Sequence, residues 1–213
     1  MIFAVIGDIK SNFSGLQALL DNLRERGIQR VLQTGNVCGG VENSRECLAL
    51  LRERSVVCVQ GREDRALVSS RRKPRQNTAR QNDDEIKSEL GSSNVEYLHN
   101  LPRKRMFVEE GLRIVLCHGA INSAQHMLTR DTPMPRFRRE REIASADIIV
   151  CGGAPDPFVY HVDQSMFVCP GAMGDEAGLV RYSLVDTEVT PWSALSISID
   201  HVRDVKQDQE AAQ

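Results

Sequence analysis

The chain lacks any apolar run approaching the roughly 20 residues needed to cross a bilayer, so no membrane-spanning segment is expected. Its first apolar stretch ends at Asp8 and is too short for a secretory leader. It lacks a charge imbalance too. Against 29 Asp and Glu stand 27 Lys and Arg, for a formal net charge of −2, which removes any overall pull toward nucleic acid or acidic membranes. Six cysteines are present without a CxxC pair, and several close apolar runs. Free thiols in a reducing cytoplasm are therefore expected rather than a disulfide framework. There is no internal repeat.

What is there is a regular alternation. Ile2–Ile6 reads as a strand. A helix follows from Ser11 or Asn12 to Arg26, with Leu16, Leu19, Leu20 and Leu23 on one face and Gly27 as its stop. Residues 30–33 make a second strand, 43–54 a helix burying Cys47, Leu48, Leu50 and Leu51, and 56–59 a third strand. This βαβαβ order argues a parallel sheet with covering helices. Residues 69–84 are polar and basic and are expected to be a mobile loop, and 84–101 a helix. Further strands are expected at 105–108, 112–117, 148–151, 158–161, 166–169 and 179–185, with a helical stretch at 123–144 interrupted by Pro133 and Pro135. Alternating Phe107, Phe158, Tyr160 and Phe167 are expected in the core. The expectation is an α/β fold, one domain over 1–190 with two packed sheets and helices outside, and a polar tail over 191–213.

Strand ends in this chain deliver polar turns in a fixed order: Gly7-Asp8-Ile9-Lys10, Gly35-Asn36, Gly61-Arg62-Glu63-Asp64, Cys117-His118-Gly119 and Gly152-Gly153-Ala154-Pro155, with a late Pro170-Gly171-Ala172-Met173-Gly174 turn. Ligands in open α/β sheets sit beyond the strand carboxyl ends. The series resembles the calcineurin-like metallophosphoesterase superfamily, in particular its small single-domain phosphodiesterase branch in bacteria and archaea. The resemblance implies a four-layer α/β/β/α sandwich of two mixed sheets flanked by helices. It also implies two divalent metals (Mn, Fe, Zn or Ni) that clamp a phosphate and generate a bound hydroxide.

The side chains depart from that implication. Asp8 and His118 match. Lys10 stands where a histidine ligand is expected, Asn36 where the bridging aspartate is, and Arg62 where an asparagine ligand is. Glu63 replaces a histidine that assists the leaving group, and Gly153 and Pro155 replace the last two histidine ligands. Lysine is a donor-only cation at neutral pH and arginine stays protonated. Asparagine brings no charge to bridge two dications, and glycine and proline bring no side-chain ligand atom. Asp8 and His118 remain as residual ligands, short of the three or four that stable binding needs. No metal cofactor is expected, and no activated nucleophile is visible.

Each residue also has a plain structural reading. Asp8 can be held by loop N–H groups and by Lys10 or Arg62, and His118 can be a satisfied loop histidine. Cys38, Cys117 and Cys151 flank the site loops, but their spacing matches no zinc pattern. Lys10 and Arg62 are candidates either for an ion-pair plug with Asp8 or for a metal-free anion site, since Arg offers a bidentate fork. The expected function is thus binding by a catalytically impaired member of the fold, to a protein partner through the basic 71–75 loop or the Pro/Arg-rich 131–141 segment. The superfamily offers a fold-level precedent in the retromer scaffold subunit, a protein-interaction platform. The alternatives are a phosphoesterase with residual or atypical metal-dependent activity, and a sensor of a phosphorylated small molecule at Lys10 and Arg62. An RNA backbone is a weaker candidate partner, and a membrane is not expected.

Overall fold

A computed structural model describes residues 1–69, 77–174 and 178–200, with 77–81 described by their backbone alone. β1 (Ile2–Ile6), β2 (Val31–Gln33) and β3 (Val57–Cys58) run parallel, and β9 (Leu179–Asp186) and β10 (Ser193–Asp200) add antiparallel strands on the other side, giving the order β10-β9-β1-β2-β3. The second sheet has the order β4-β5-β6-β8-β7, from β4 (Lys104–Glu109), β5 (Leu112–Cys117), β6 (Ile148–Val150), β7 (Phe158–Val162) and β8 (Ser165–Cys169). Its centre, β5-β6-β8, is parallel and both outer strands are antiparallel. The chain is therefore α/β with two mixed sheets flanked by helices, the architecture that the resemblance implied.

The period of two along each strand builds the layers. Phe3 and Val5 of β1 meet Ile114, Leu116, Ile148 and Val168 between the sheets. Ala4 and Ile6, the alternate residues, face α1 (Phe13–Glu25) and α2 (Ser44–Glu53). On the far side Val115, Ile149 and Phe167 face α5 (Met134–Ala144). There Phe137 is fully buried, edge-on to Phe158, Tyr160 and Phe167 at centroid distances of 5.7, 5.2 and 5.1 Å. Three of the four aromatic residues assigned to the core thus pack together. The fourth, Phe107, faces the space between the sheets, with the Arg30 guanidinium 5.1 Å from its ring centre.

The structure corrects four expectations. The turn expected at Gly61-Arg62-Glu63-Asp64 opens the short helix α3 (Arg62–Val68), whose first turn carries Glu63 and Asp64. The mobile loop expected at 69–84 gives way at Asn77 to α4 (Asn77–Asn100), broken at Gly91 by φ 71°, ψ 163°, while 70–76, including the basic 71–75 cluster, lie outside the described residues. In 123–144 only Met134–Ala144 is helical. Pro133 is its N-cap and Pro135 lies in its first turn, so these prolines start the helix rather than interrupt it. The supposed tail is β10 as far as Asp200, fully paired with β9. Its alternation of Leu195, Ile197 and Ile199 with serines is a strand pattern, and residues 201–213 lie outside the described residues.

Replacing Phe137 by alanine empties the centre of the α5 layer. It is expected to cost about 3–5 kcal/mol, read as a lowered urea midpoint with the slope unchanged.

Candidate functional site

The turns that follow the parallel strands converge at one edge of the sandwich, and glycine lets them approach. Gly35 has φ +101°, and a Cβ there would lie 2.5 Å from the Gly61 backbone and 3.1 Å from His118 Nδ1. The β2 turn is thereby pressed between the β3 turn and the β5 end.

Asp64, on the first turn of α3, ties these turns together. Its fully buried carboxylate accepts from the backbone N–H of Asn36 (2.7 Å), Val37 (2.9 Å), Cys38 (3.2 Å) and Gly61 (3.0 Å). Burial pushes its pKa up, and the amide N–H groups oppose that by favouring the ionised form. Asn36 is the second junction. It is buried at φ +59°, a conformation asparagine tolerates. Its carbonyl accepts from the N–H of Ile9 (3.0 Å) and Lys10 (3.1 Å). Its side-chain Oδ1 accepts from Glu63 N–H at 2.8 Å, and its Nδ2 therefore donates to Asp8 Oδ2 at 2.9 Å. Every hydrogen-bonding group of Asn36 thus has a partner.

Asp8 is buried, with Oδ2 on the Asn36 amide and Oδ1 without a partner. Burial raises its pKa. The Asn36 bond, His118 and Lys10 pull it back, and Glu63 pushes it further up. His118 is buried, its Nδ1 at 2.7 Å from the Thr34 carbonyl, which joins the two sheets. A carbonyl only accepts, so Nδ1 carries hydrogen and donates; Nε2 is buried without a partner.

The two cations stand at the rim. Lys10 is 53% exposed, its Nζ 4.0 Å from Asp8 Oδ2 and 3.8 Å from Glu63 Oε1. Arg62, also partly exposed, reaches the same Glu63 oxygen at 3.6 Å. Glu63 thus sits between Lys10 and Arg62. Gly153 has φ +78°, and the place of its absent Cβ is taken by Met127, whose Sδ would be 2.3 Å away, with His118 Nε2 at 3.1 Å. Pro155 is exposed, and its carbonyl accepts from Ala172 N–H at 3.0 Å.

The structure thus gathers Asp8, Lys10, Asn36, Arg62 and Glu63, and sets His118 beside Gly35 and Gly153. The cysteines lie elsewhere. Cys38 packs on the helix side of the first sheet, and Cys117 and Cys151 pack on the α5 side of the second. All six are buried and free. Sequence reasoning missed Asp64, although its signal was there: an acidic residue three places into a helix after a glycine turn. It also missed Met127, whose loop carries no motif.

These residues do not fit a two-metal centre. Asp8 Oδ1 and His118 Nε2 are available ligand atoms, but the Asn36 side chain is engaged on both its atoms and presents a donor to Asp8. Lys10 brings a cation, and a thioether fills the space beside Gly153. Among the described residues no three of His, Cys, Asp and Glu gather to hold a metal.

Asp64→Asn replaces an acceptor oxygen by a donor facing N–H groups. It is expected to destabilise by about 2–4 kcal/mol, measured by urea unfolding. The raised pKa of Asp8 has a definite sign. Such a carboxyl favours the fold below its unfolded value, and that contribution is lost as pH rises through the folded value. Asp8→Asn, which cannot ionise, should therefore gain stability on the parent chain between about pH 4 and pH 7. Thermal melts across that range check it, and a gap constant with pH would contradict it.

The described residues contain no helix long and apolar enough to cross a membrane. The model of the calcineurin-like phosphoesterase superfamily domain matches residues 1–190. An uncharacterized protein of Methanocaldococcus jannaschii, MJ0912, is 36% identical over 63 residues, which are 30% of this chain and only 26% of that protein's length. Among solved structures, hypothetical protein PH1004 from Pyrococcus horikoshii OT3 superposes with a TM-score of 0.80 at 20% identity, covering 98% of this chain and 91% of that one. A metallophosphoesterase from Sphaerobacter thermophilus gives 0.72 at 16% identity, covering 100% and 94%. These two structures share the fold, and the family match spans nearly the whole chain: it belongs to the calcineurin-like phosphoesterase superfamily.

Proposed function

We propose that this chain is a phosphoesterase-fold protein that acts by binding, without the metal-dependent hydrolysis of its superfamily. The observation that carries this reading is the amide of Asn36 donating to Asp8. In a two-metal centre the residue at this place bridges two dications with a negative oxygen. Here it gives the lone carboxylate a hydrogen, so the pocket is stabilised by its own donors. Lys10, 4.0 Å from Asp8, adds a fixed positive charge in the same sense.

The partner proposed is a protein, met through the arginine-bearing 131–141 segment. Of this segment Arg136 is tied to buried Glu140 at 2.8 Å, while Arg138 and Arg139 are exposed. A cytoplasmic setting suits six buried free thiols.

A second reading, residual one-metal or atypical phosphoesterase chemistry, is favoured by one observation: Asp8 Oδ1 and His118 Nε2 are both buried without partners. A metal-free site for a phosphorylated small molecule at Lys10 and Arg62 would require such a ligand to compete with Glu63 for both cations.

Elemental analysis of the purified chain, with phosphodiester turnover in added Mn²⁺, separates the first two readings. The expected result is substoichiometric metal and turnover no greater than that of Asp8→Ala. Stoichiometric metal with turnover abolished by Asp8→Ala would overturn the binding reading. Thermal shifts with inorganic phosphate that vanish in Arg62→Ala would favour the sensor. Restoring the superfamily ligands with Lys10→His, Asn36→Asp, Arg62→Asn, Glu63→His, Gly153→His and Pro155→His should recover metal binding, and more tightly when Met127→Ala also clears the space beside residue 153.

A further inference from the structure

Among the most exposed large apolar side chains are Val108 (66%), Leu195 (65%) and Met106 (62%). Val108 and Met106 lie on one strand, β4, which borders the second sheet and pairs with β5 on one side. The β4–β5 turn is Glu110-Gly111, both at positive φ (49° and 81°), a two-residue hairpin turn. In such a hairpin the flanking pair, Glu109 and Leu112, exchanges backbone hydrogen bonds, and alternate pairs follow, through Phe107 and Arg105. The N–H and C=O groups of Lys104, Met106 and Val108 therefore point outward, along the open edge. Their side chains share the outer face of the sheet. Arg105, Phe107 and Glu109 share the inner face.

We propose that a second copy of this chain occupies this edge, β4 against β4 in antiparallel fashion about a twofold axis at Phe107, making one continuous sheet across the dimer. The strand with the first residue of its turn, Lys104-Arg105-Met106-Phe107-Val108-Glu109-Glu110, is basic at one end and acidic at the other. Antiparallel self-pairing centred on Phe107 sets Arg105 opposite the partner's Glu109, Lys104 opposite the partner's Glu110, and Met106 opposite the partner's Val108. Each match occurs twice by symmetry. Both highly exposed apolar side chains of the strand are covered, and opposite charges face each other. The outward backbone groups of Met106 and the partner's Val108 form a hydrogen-bonded pair, and Phe107 meets its own copy in a non-hydrogen-bonded pair.

A register centred on Met106 also keeps the faces aligned, but it sets Arg105 on Phe107 and Lys104 on Val108 and matches one charge pair, Arg103 with the partner's Glu109, where the register centred on Phe107 matches two. Charged residues on an edge strand ordinarily deter pairing. Here they select one partner and one register. The acidic end is already fixed in place: Arg30 binds Glu109 through its Nε at 3.2 Å, and the Met1 amine lies 2.9 Å from Glu110 Oε2. The opposite edge of the first sheet, β10, has no such polarity, its only charged residue being Asp200 at the end.

Analytical ultracentrifugation of the full chain tests the proposal, with circular dichroism melts to verify folding of each variant. The parent chain is expected to sediment as a concentration-dependent dimer. Arg105→Glu and Glu109→Arg are each expected to weaken self-association about tenfold or more. An equimolar mixture of the two should associate again, because each copy then supplies what the other lacks. Phe107→Cys should form a disulfide-linked dimer on oxidation, and Met106→Cys should not. A parent chain that stays monomeric, association indifferent to Arg105→Glu, or crosslinking through Met106→Cys in place of Phe107→Cys would each overturn the proposal.

Discussion

A single buried carboxylate, Asp64, holds the turns of the first sheet in register. It collects backbone N–H groups from two turns that have few side chains of their own to anchor them. Buried amides left without acceptors would each cost about 1–3 kcal/mol. The carboxylate therefore does for the turns what a ladder does for strands. Asn36 is then locked at positive φ, and its carbonyl and side chain carry that order on to Asp8, Ile9, Lys10 and α3.

Because the frame is built from backbone groups and one carboxylate, it does not depend on what occupies the space in front of it. The frame of a phosphoesterase can persist while the charges in its pocket change sign. Asp8 faces an amide donor and an ammonium group, and His118 is oriented by the Thr34 carbonyl. Neither arrangement needs an ion to stay in place. In this pocket Asp8 Oδ1 and His118 Nε2 remain unpartnered.

Much of the fold was legible because periodicity reports burial. The stripe Leu16, Leu19, Leu20, Leu23 gave α1, and the Asn12 cap is confirmed by its bond from Gly15 N–H at 3.0 Å. The turns gave the family, since glycines and their spacing follow close backbone approach. Elements held mostly by neighbours were misread. α3 is too short to show a period. β10 hides its apolar alternation among serines on an edge half open to solvent. In the site, residue identity showed where the turns depart from the superfamily pattern but not what packs beside those positions. The place of Met127 beside Gly153 arises from a loop crossing between distant strands, which no local pattern encodes.

The contact between Met127 and Gly153 makes the two positions interdependent. A side chain at 153 would meet the sulfur at 2.3 Å, so the flexible, half-buried end of Met127 would have to swing aside, and the φ of +78° disfavours any residue but glycine there. Removing the methionine would open space beside the buried His118 Nε2. The outcome of a substitution at either place is therefore set by the residue at the other, and the pair answers to mutation as one unit.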